Sequence, residues 1–225
     1  MAVAGQALAR SPSPRVGLRE NRVNALADLA AVYLYLSTEW VWLDEALARG
    51  AVGAHLPLAR CVASGLSRLV PYRGPAAMRT SAAGSVTDWY REERFVIDHG
   101  FLSASVSAAA LCEGGPGFLV WSLTGRRAGM IDPHVPERLV FTPGTRFKVL
   151  QLVEGRHPLV LMRELFPQES TSHRPTGGSE GSHTAWLDES TVAALEGVVG
   201  ESRALAVADI QAPQMRAPGL IATQK

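Results

Sequence analysis

The feature that most constrains this chain is a change of hydrophobic period near residue 70. Before it, Leu26, Leu29, Ala30, Tyr33, Leu34 and Leu36 recur at helical spacing and predict a helix over about 22–37. Ser37 or Thr38 can cap a second helix whose buried stripe is Trp40, Val41, Leu43 and Leu47, with Gly50 as its stop. A third spans about 56–69, with Pro57 near its first turn. After residue 70 the apolar runs become short. Leu69-Val70 leads as a first strand to Arg73, followed by a loop of small residues over 75–85 and a short turn over 88–93. Phe95-Val96-Ile97, residues 101–106, residues 118–123 and Gly129-Met130-Ile131 then read as strands. Residues 138–141 and 147–153 look like a hairpin about Thr142-Pro143-Gly144, and 157–165 like a closing strand. Helices first, then strands joined by short turns, is α+β and not alternating βαβ.

Composition bounds the function. The 225 residues, 47% hydrophobic and 19% charged, suffice for one good-sized core with appendages. A net charge of +1 argues neither for a nucleic-acid surface nor for a polybasic membrane patch, and neither partner is expected, though it leaves room for a compact basic pocket. No apolar run reaches the roughly 18 residues needed to cross a bilayer, since Asp28 and Glu39 interrupt the most hydrophobic region. Residues 1–16 lack the apolar stretch of a secretory leader and contain Pro12 and Pro14, so the expected location is the cytoplasm, with signal-independent export left open. Cys61 and Cys112 form no CxxC and have no histidine pair nearby, so they read as buried thiols. The expected organisation is a flexible arm over 1–22, a domain over 23–167, a Ser/Thr/Gly/Pro linker over 168–184, and a helix of about 187–208 with a tail ending at 225. On its composition that linker buries little, so everything beyond residue 168 is expected to be dispensable for the fold.

Several chemistries are absent. There is no Gly-x-Ser-x-Gly elbow, and Gly114-Gly115-Pro116-Gly117 is followed by no Gly-Lys-Ser/Thr, so it is not a P-loop. The six histidines are scattered without ligand spacing, and no metal is expected. What remains is Arg73 between Tyr72 and Gly74, and Ser103 with Ser105 after Gly100-Phe101. Side chains two apart on a strand share a face. A guanidinium from one strand and a Ser-x-Ser pair from the next suit an anionic ligand with ribose hydroxyls, because arginine presents a planar fork and serine both donates and accepts.

The order of these elements sharpens the reading. An arginine after a helical block, then Gly-Phe-x-Ser-x-Ser at Gly100 to Ser105, then Gly125-Arg126-Arg127, then Pro143-Gly144-Thr145-Arg146-Phe147-Lys148-Val149, resembles the mono-ADP-ribosyltransferases. The similarity is to the branch named for Arg, Ser-x-Ser and Glu, which includes binary-toxin enzyme subunits and vertebrate ectoenzymes, and it covers about residues 24–166. The resemblance implies a split, mostly antiparallel two-sheet core that binds NAD in a central cleft. Arg73 would hold the phosphates and the nicotinamide-side ribose, Gly74 would offer backbone groups to the carboxamide, Ser103 would brace the site and Ser105 would support the strand. Phe101 would belong to the same cofactor-binding segment. Residues 107–117 would lie over the nucleotide, and 132–136 would meet a protein acceptor.

In that family a glutamate favours the oxocarbenium-like state as nicotinamide leaves. The motif Glu-x-Glu stands directly before an apolar triplet, and here the place reads Pro136-Glu137-Arg138. Strict spacing puts Arg138 at the catalytic glutamate, with Glu137 one step away and Glu113 and Asp132 as other carboxylates. Regular strand geometry turns Glu137 away from the cleft, whereas a bulge beside Pro136 would re-aim it. Two functions follow. One is an NAD-dependent transferase or NAD hydrolase with Glu137, Ser103 and Arg73 as catalytic residues. The other is an inactive relative kept as a nucleotide-binding or protein-interaction module.

Overall fold

The computed structural model describes residues 19–37, 41–80, 89–111, 115–155, 157–170, 180–204 and 217–219. The arm before residue 19, Cys112, Glu113, most of the presumed linker, and the tail other than 217–219 lie outside the described residues.

Helix α1 (Arg19–Ser37) begins slightly before its apolar stripe, and α2 (Val41–Ala48) and α3 (Leu56–Ser67) follow. Their buried residues include Leu29, Val32 and Leu36 of α1, Leu43 of α2, and Val62 and Leu66 of α3. Gly65 permits the close approach of α1 and α3, since a Cβ there would lie 2.5 Å from the Asp28 carbonyl oxygen. Buried Asp28 is satisfied in the same contact, accepting from Ser64 Oγ at 2.6 Å and from Arg68 Nη2 at 3.1 Å.

Eight strands follow among the described residues: β1 (Gly74–Arg79), β2 (Phe95–Asp98), β3 (Leu102–Ser105), β4 (Gly117–Ser122), β5 (Arg126–Arg127), β6 (Arg138–Phe141), β7 (Thr145–Val153) and β8 (Leu159–Glu164). Their order is β2-β7-β8-β4-β1-β3-β6-β5. All pairings are antiparallel except β4 with β8. The architecture is therefore α+β, with helices first and a mostly antiparallel sheet after them.

The sheet is split. β1 and β3 share one residue pair among the described residues, Ala77 with Ser105, so the ladder between the β2-β7-β8-β4-β1 half and the β3-β6-β5 half narrows to that pair, with the Pro71–Arg126 bridge just ahead of β1 as a further link. Their inner faces form one core, with Met78, Phe118, Val120, Phe147, Val149, Val160 and Met162 meeting Leu102, Ala104, Leu139 and Phe141. Helices α1 to α3 cover the outer face of the small half through Phe101, Ala128, Ile131 and Val140. Helix α4 (Glu180–Ala204) and the turn Ala108–Leu111 cover the outer face of the large half, where Leu195 is fully buried beside Leu119 and Leu161.

Three expectations are corrected. First, the initial strand is not 69–73: it begins at Gly74 and occupies the stretch read as a loop. Pro71 makes only an isolated bridge to Arg126. The small residues Ala76 and Ala77 are small because β1 lies between covered faces, which removes the alternation that marks a half-exposed strand. Second, residues 138–141 and 147–153 do not form a hairpin. β6 pairs with β3 and β5, whereas β7 pairs with β2 and β8. The turn at 142–144 carries the chain from one half to the other, and Phe141 and Phe147 meet edge-on across the core at 5.3 Å. Third, residues beyond 168 take part in the fold. Asp188 of α4 bonds to Lys148 Nζ at 2.6 Å and to Arg163 Nε, and both cations are buried. Glu169, from the turn Pro167–Ser170, accepts from Arg163 Nη1 at 2.7 Å.

Candidate active site

The junction between the halves organises the predicted residues. Ala77 of β1 stands opposite Ser105 of β3, and Ser105 stands opposite Arg138 of β6. Residues paired across strands share a face, so this row of three presents its side chains to one side. Ser103 lies on that side too, paired with Val140. Its hydroxyl makes no hydrogen bond among the described residues.

Arg73 immediately precedes β1, four residues upstream of Ala77. It is exposed, and its guanidinium has no partner among the described residues. Gly74 has φ +143°, a conformation open to glycine, and a Cβ there would come within 3.1 Å of the Tyr72 hydroxyl. That hydroxyl donates to the Pro75 carbonyl at 3.0 Å, and the Arg127 guanidinium lies over the Tyr72 ring at 4.7 Å. Burial pushes the Tyr72 phenol above its ordinary value, and the Arg127 charge opposes it. Tyr72 therefore stays a neutral donor that holds the backbone beside Arg73.

The pairing of β3 with β6 is regular through Arg138, so the bulge considered for Glu137 is not present. The register shift recorded in the sheet lies instead between Val149 and Gln151 of β7. Glu137 sits in the turn just before β6, where alternation does not govern its direction. Its carbonyl accepts the Val106 N–H at 3.0 Å, and its carboxylate oxygen lies 3.5 Å from Ser105 Oγ, at the outer limit of a hydrogen bond. Glu137 is exposed.

Arg138 holds the register position without entering open space. Its Nη1 lies 2.9 Å from Asp132 Oδ2 and donates to the Leu36 carbonyl at 3.0 Å. Asp132 also accepts the His134 N–H through Oδ1 at 3.2 Å, so both of its oxygens are engaged. The structure thus brings Ser105 and Glu137 together and ties Asp132 to Arg138. It does not bring Phe101 to them. That ring is 2% exposed, packed against Tyr35 at 5.0 Å in the helical core.

Sequence reasoning missed Arg79. This buried arginine of β1 donates to the carbonyls of Ala110 at 3.2 Å and Gly115 at 2.8 Å, holding two points within the 107–117 segment. A cation placed among Ala76, Ala77 and Met78 was the available signal, because a buried charge needs partners. A separate groove of about 580 Å³ opens between α4 and β7, lined in part by Lys148, Asp188, Glu93 and Glu196, on the far face of the large half. It contains none of the predicted site residues. Among the described residues no group of three or more His, Cys, Asp or Glu is placed to hold a metal ion, and no helix is long and apolar enough to cross a membrane.

Neither a protein-family model nor a curated protein matches the chain. Solved structures do. Exoenzyme S from Pseudomonas aeruginosa, solved with human 14-3-3 protein beta and carba-NAD, superposes with a TM-score of 0.54 at 18% identity, over 82% of this chain and 96% of that one. The ADP-ribosyltransferase Vis of Vibrio splendidus, solved with the inhibitor M6, gives 0.57 at 16% identity over 76% and 84%. The fold is that of the ADP-ribosyltransferases. The type III effector XopAI from Xanthomonas axonopodis pv. citri gives 0.52 at 21% identity over 72% and 76%. In this ADP-ribosyltransferase fold the split between β1 and β3 carries Arg73, Gly74, Ser103, Ser105 and Glu137 on neighbouring segments, with Arg138 in the row and Pro136 two residues before it.

Proposed function

We propose that this chain acts on NAD, breaking the bond between nicotinamide and ribose and passing ADP-ribose to a protein side chain or to water. The observation that carries the reading is the Glu137 carboxylate beside Ser105 at the split of an ADP-ribosyltransferase fold. The residues present fit the ligand. Arg73 is an exposed guanidinium without a partner among the described residues, suited to a diphosphate as a fork. Gly74, at φ +143°, adopts a backbone conformation open to glycine beside Arg73, with the Tyr72 ring against it. Ser103 offers an uncommitted hydroxyl to a ribose.

The chemistry asked of the protein is electrostatic. As the ribose C1′–N bond breaks, nicotinamide leaves with the electron pair and becomes neutral, while positive charge develops on the ribose ring. A fixed carboxylate facing that charge lowers the barrier. Glu137, the exposed carboxylate beside Ser105, is the group placed to supply it. The acceptor nucleophile then adds at C1′ and loses its proton to solvent or to Glu137.

The test is incubation with NAD labelled in its adenosine part, scoring released nicotinamide and labelled protein separately. Glu137→Gln is expected to lower nicotinamide release by about 10²–10³-fold, the scale for removing one stabilising group, with NAD affinity by calorimetry retained. Wild-type protein that binds NAD but releases no nicotinamide would replace the enzyme by the nucleotide-binding module.

A further inference from the structure

We infer that Arg138, standing where the Glu-x-Glu resemblance puts a carboxylate, is a positioning residue that sets the place of Glu137; this rests on the reading of Glu137 as the working carboxylate. The segment 128–138 is a closed loop with Arg138 at its base. The Ala128 N–H donates to the Arg138 carbonyl at 2.9 Å, and the Arg138 N–H donates to the Val135 carbonyl at 3.0 Å. The two sides of the loop touch: a Cβ on Gly129 would fall 2.0 Å from the Pro136 carbonyl oxygen. The side chain completes the closure. Nη1 bridges Asp132, at 2.9 Å, and the Leu36 carbonyl in the last turn of α1, at 3.0 Å. A cation is favoured there because the last carbonyls of a helix carry partial negative charge. One guanidinium thereby fixes the loop, the helical layer and the start of β6 relative to one another.

The arrangement is not a minimal packing solution. The Arg138 side chain is 17% exposed, yet its Nε is buried without an acceptor among the described residues. An orphaned buried donor carries a desolvation cost that an apolar side chain of similar size would avoid. What the arginine supplies in return is a rigid seat for the residue before it. Glu137 has its carbonyl held by the Val106 N–H and its carboxylate beside Ser105, so a loosened loop lets both contacts go.

The experiment compares wild type with Arg138→Met, which keeps length and removes charge, and Arg138→Lys, which keeps charge opposite Asp132. Amide hydrogen exchange and steady-state nicotinamide release are measured on the full chain. The expected result for Arg138→Met is faster exchange at Val106 and Ala128 with strands β4 and β8 unchanged. It also includes a fall of about a hundredfold in kcat with KM for NAD unaltered, the scale of a small misplacement of a reacting group. Arg138→Lys recovers part of both. If Arg138→Met does not fold, Asp132→Asn, which removes the ion pair and leaves the Leu36 contact, takes its place with the same expected direction. Unchanged exchange at Val106 and Ala128, an undiminished kcat, or a lysine variant no better than methionine overturns the proposal. Absence of NAD turnover in the wild type removes the enzyme reading instead, and the exchange result alone then decides whether Arg138 seats Glu137.

Discussion

Arg73 and Arg138 are two guanidiniums near one split, and their surroundings assign them opposite work. Arg73 is exposed and uncommitted among the described residues, whereas Arg138 is bound to Asp132 and Leu36. Arg73→Lys keeps the charge but loses the bidentate fork, so NAD binding by calorimetry should weaken by about tenfold or more, the scale of a lost charge-assisted hydrogen bond. Equal affinity in the two proteins would remove Arg73 from the site. The residue types around the split were legible, because Arg-Gly and Ser-x-Ser each name a chemistry at a fixed spacing. The seat of Arg138 was not, since its helix partner is 102 positions away in the chain. Phe101 was misplaced for a related reason: adjacency to Gly100 and Ser103 says nothing of Tyr35, which takes the ring into the helical core.

At the scale of elements, the C-terminal helix shows what pattern alone leaves out. Its existence was readable from spacing, but its dock was not, and the clue lay elsewhere, in Lys148 and Arg163 buried among the apolar residues of β7 and β8. Cations buried at such positions require a carboxylate from outside the strand, and Asp188 of α4 supplies it to both. Asp188→Asn should therefore destabilise the protein by about 1–3 kcal/mol in urea denaturation, the scale of lost hydrogen bonds to charged groups, because Glu93 still pairs with Lys148 and Glu169 with Arg163. A loss under 1 kcal/mol would mean that α4 is held by Leu195 and its neighbours instead. The same cluster sets an alkaline limit. Burial pulls the Lys148 pKa down, but hydrogen bonds to Asp188 and Glu93 outweigh it and hold the group above its usual 10.5. Its contribution is thus fully present below the unfolded value of 10.5 and is lost as pH rises through the higher folded one. The strands β6 and β7 make the complementary point. Two apolar runs flanking Thr142-Pro143-Gly144 satisfy a hairpin pattern, yet both inner faces were needed on opposite sides of one core.

The whole molecule is two half-sheets folded onto each other, and the chain between them is pinned at Asp98. This fully buried carboxylate accepts from the Gly100 N–H and the Gly219 N–H, both at 3.0 Å, while its carbonyl receives the Gly144 N–H at 2.6 Å. Both the β2-to-β3 and the β6-to-β7 crossings therefore meet one residue. Asp98→Ala should cost about 1–3 kcal/mol for each amide it orphans, read as a lower melting temperature and urea midpoint. Order of elements and fold class were visible in the chain, because periodicity is local; the division into halves was not, because it depends on which strands decline to pair. That division has a mechanical side. With Ala77 and Ser105 as the one residue pair between β1 and β3 among the described residues, the halves are laid out like two plates riveted at that seam. Any molecule gripped at once by Arg73 on one plate and Ser103 on the other acts as a second rivet, so its arrival should stiffen the protein as a body rather than only shield the atoms it touches.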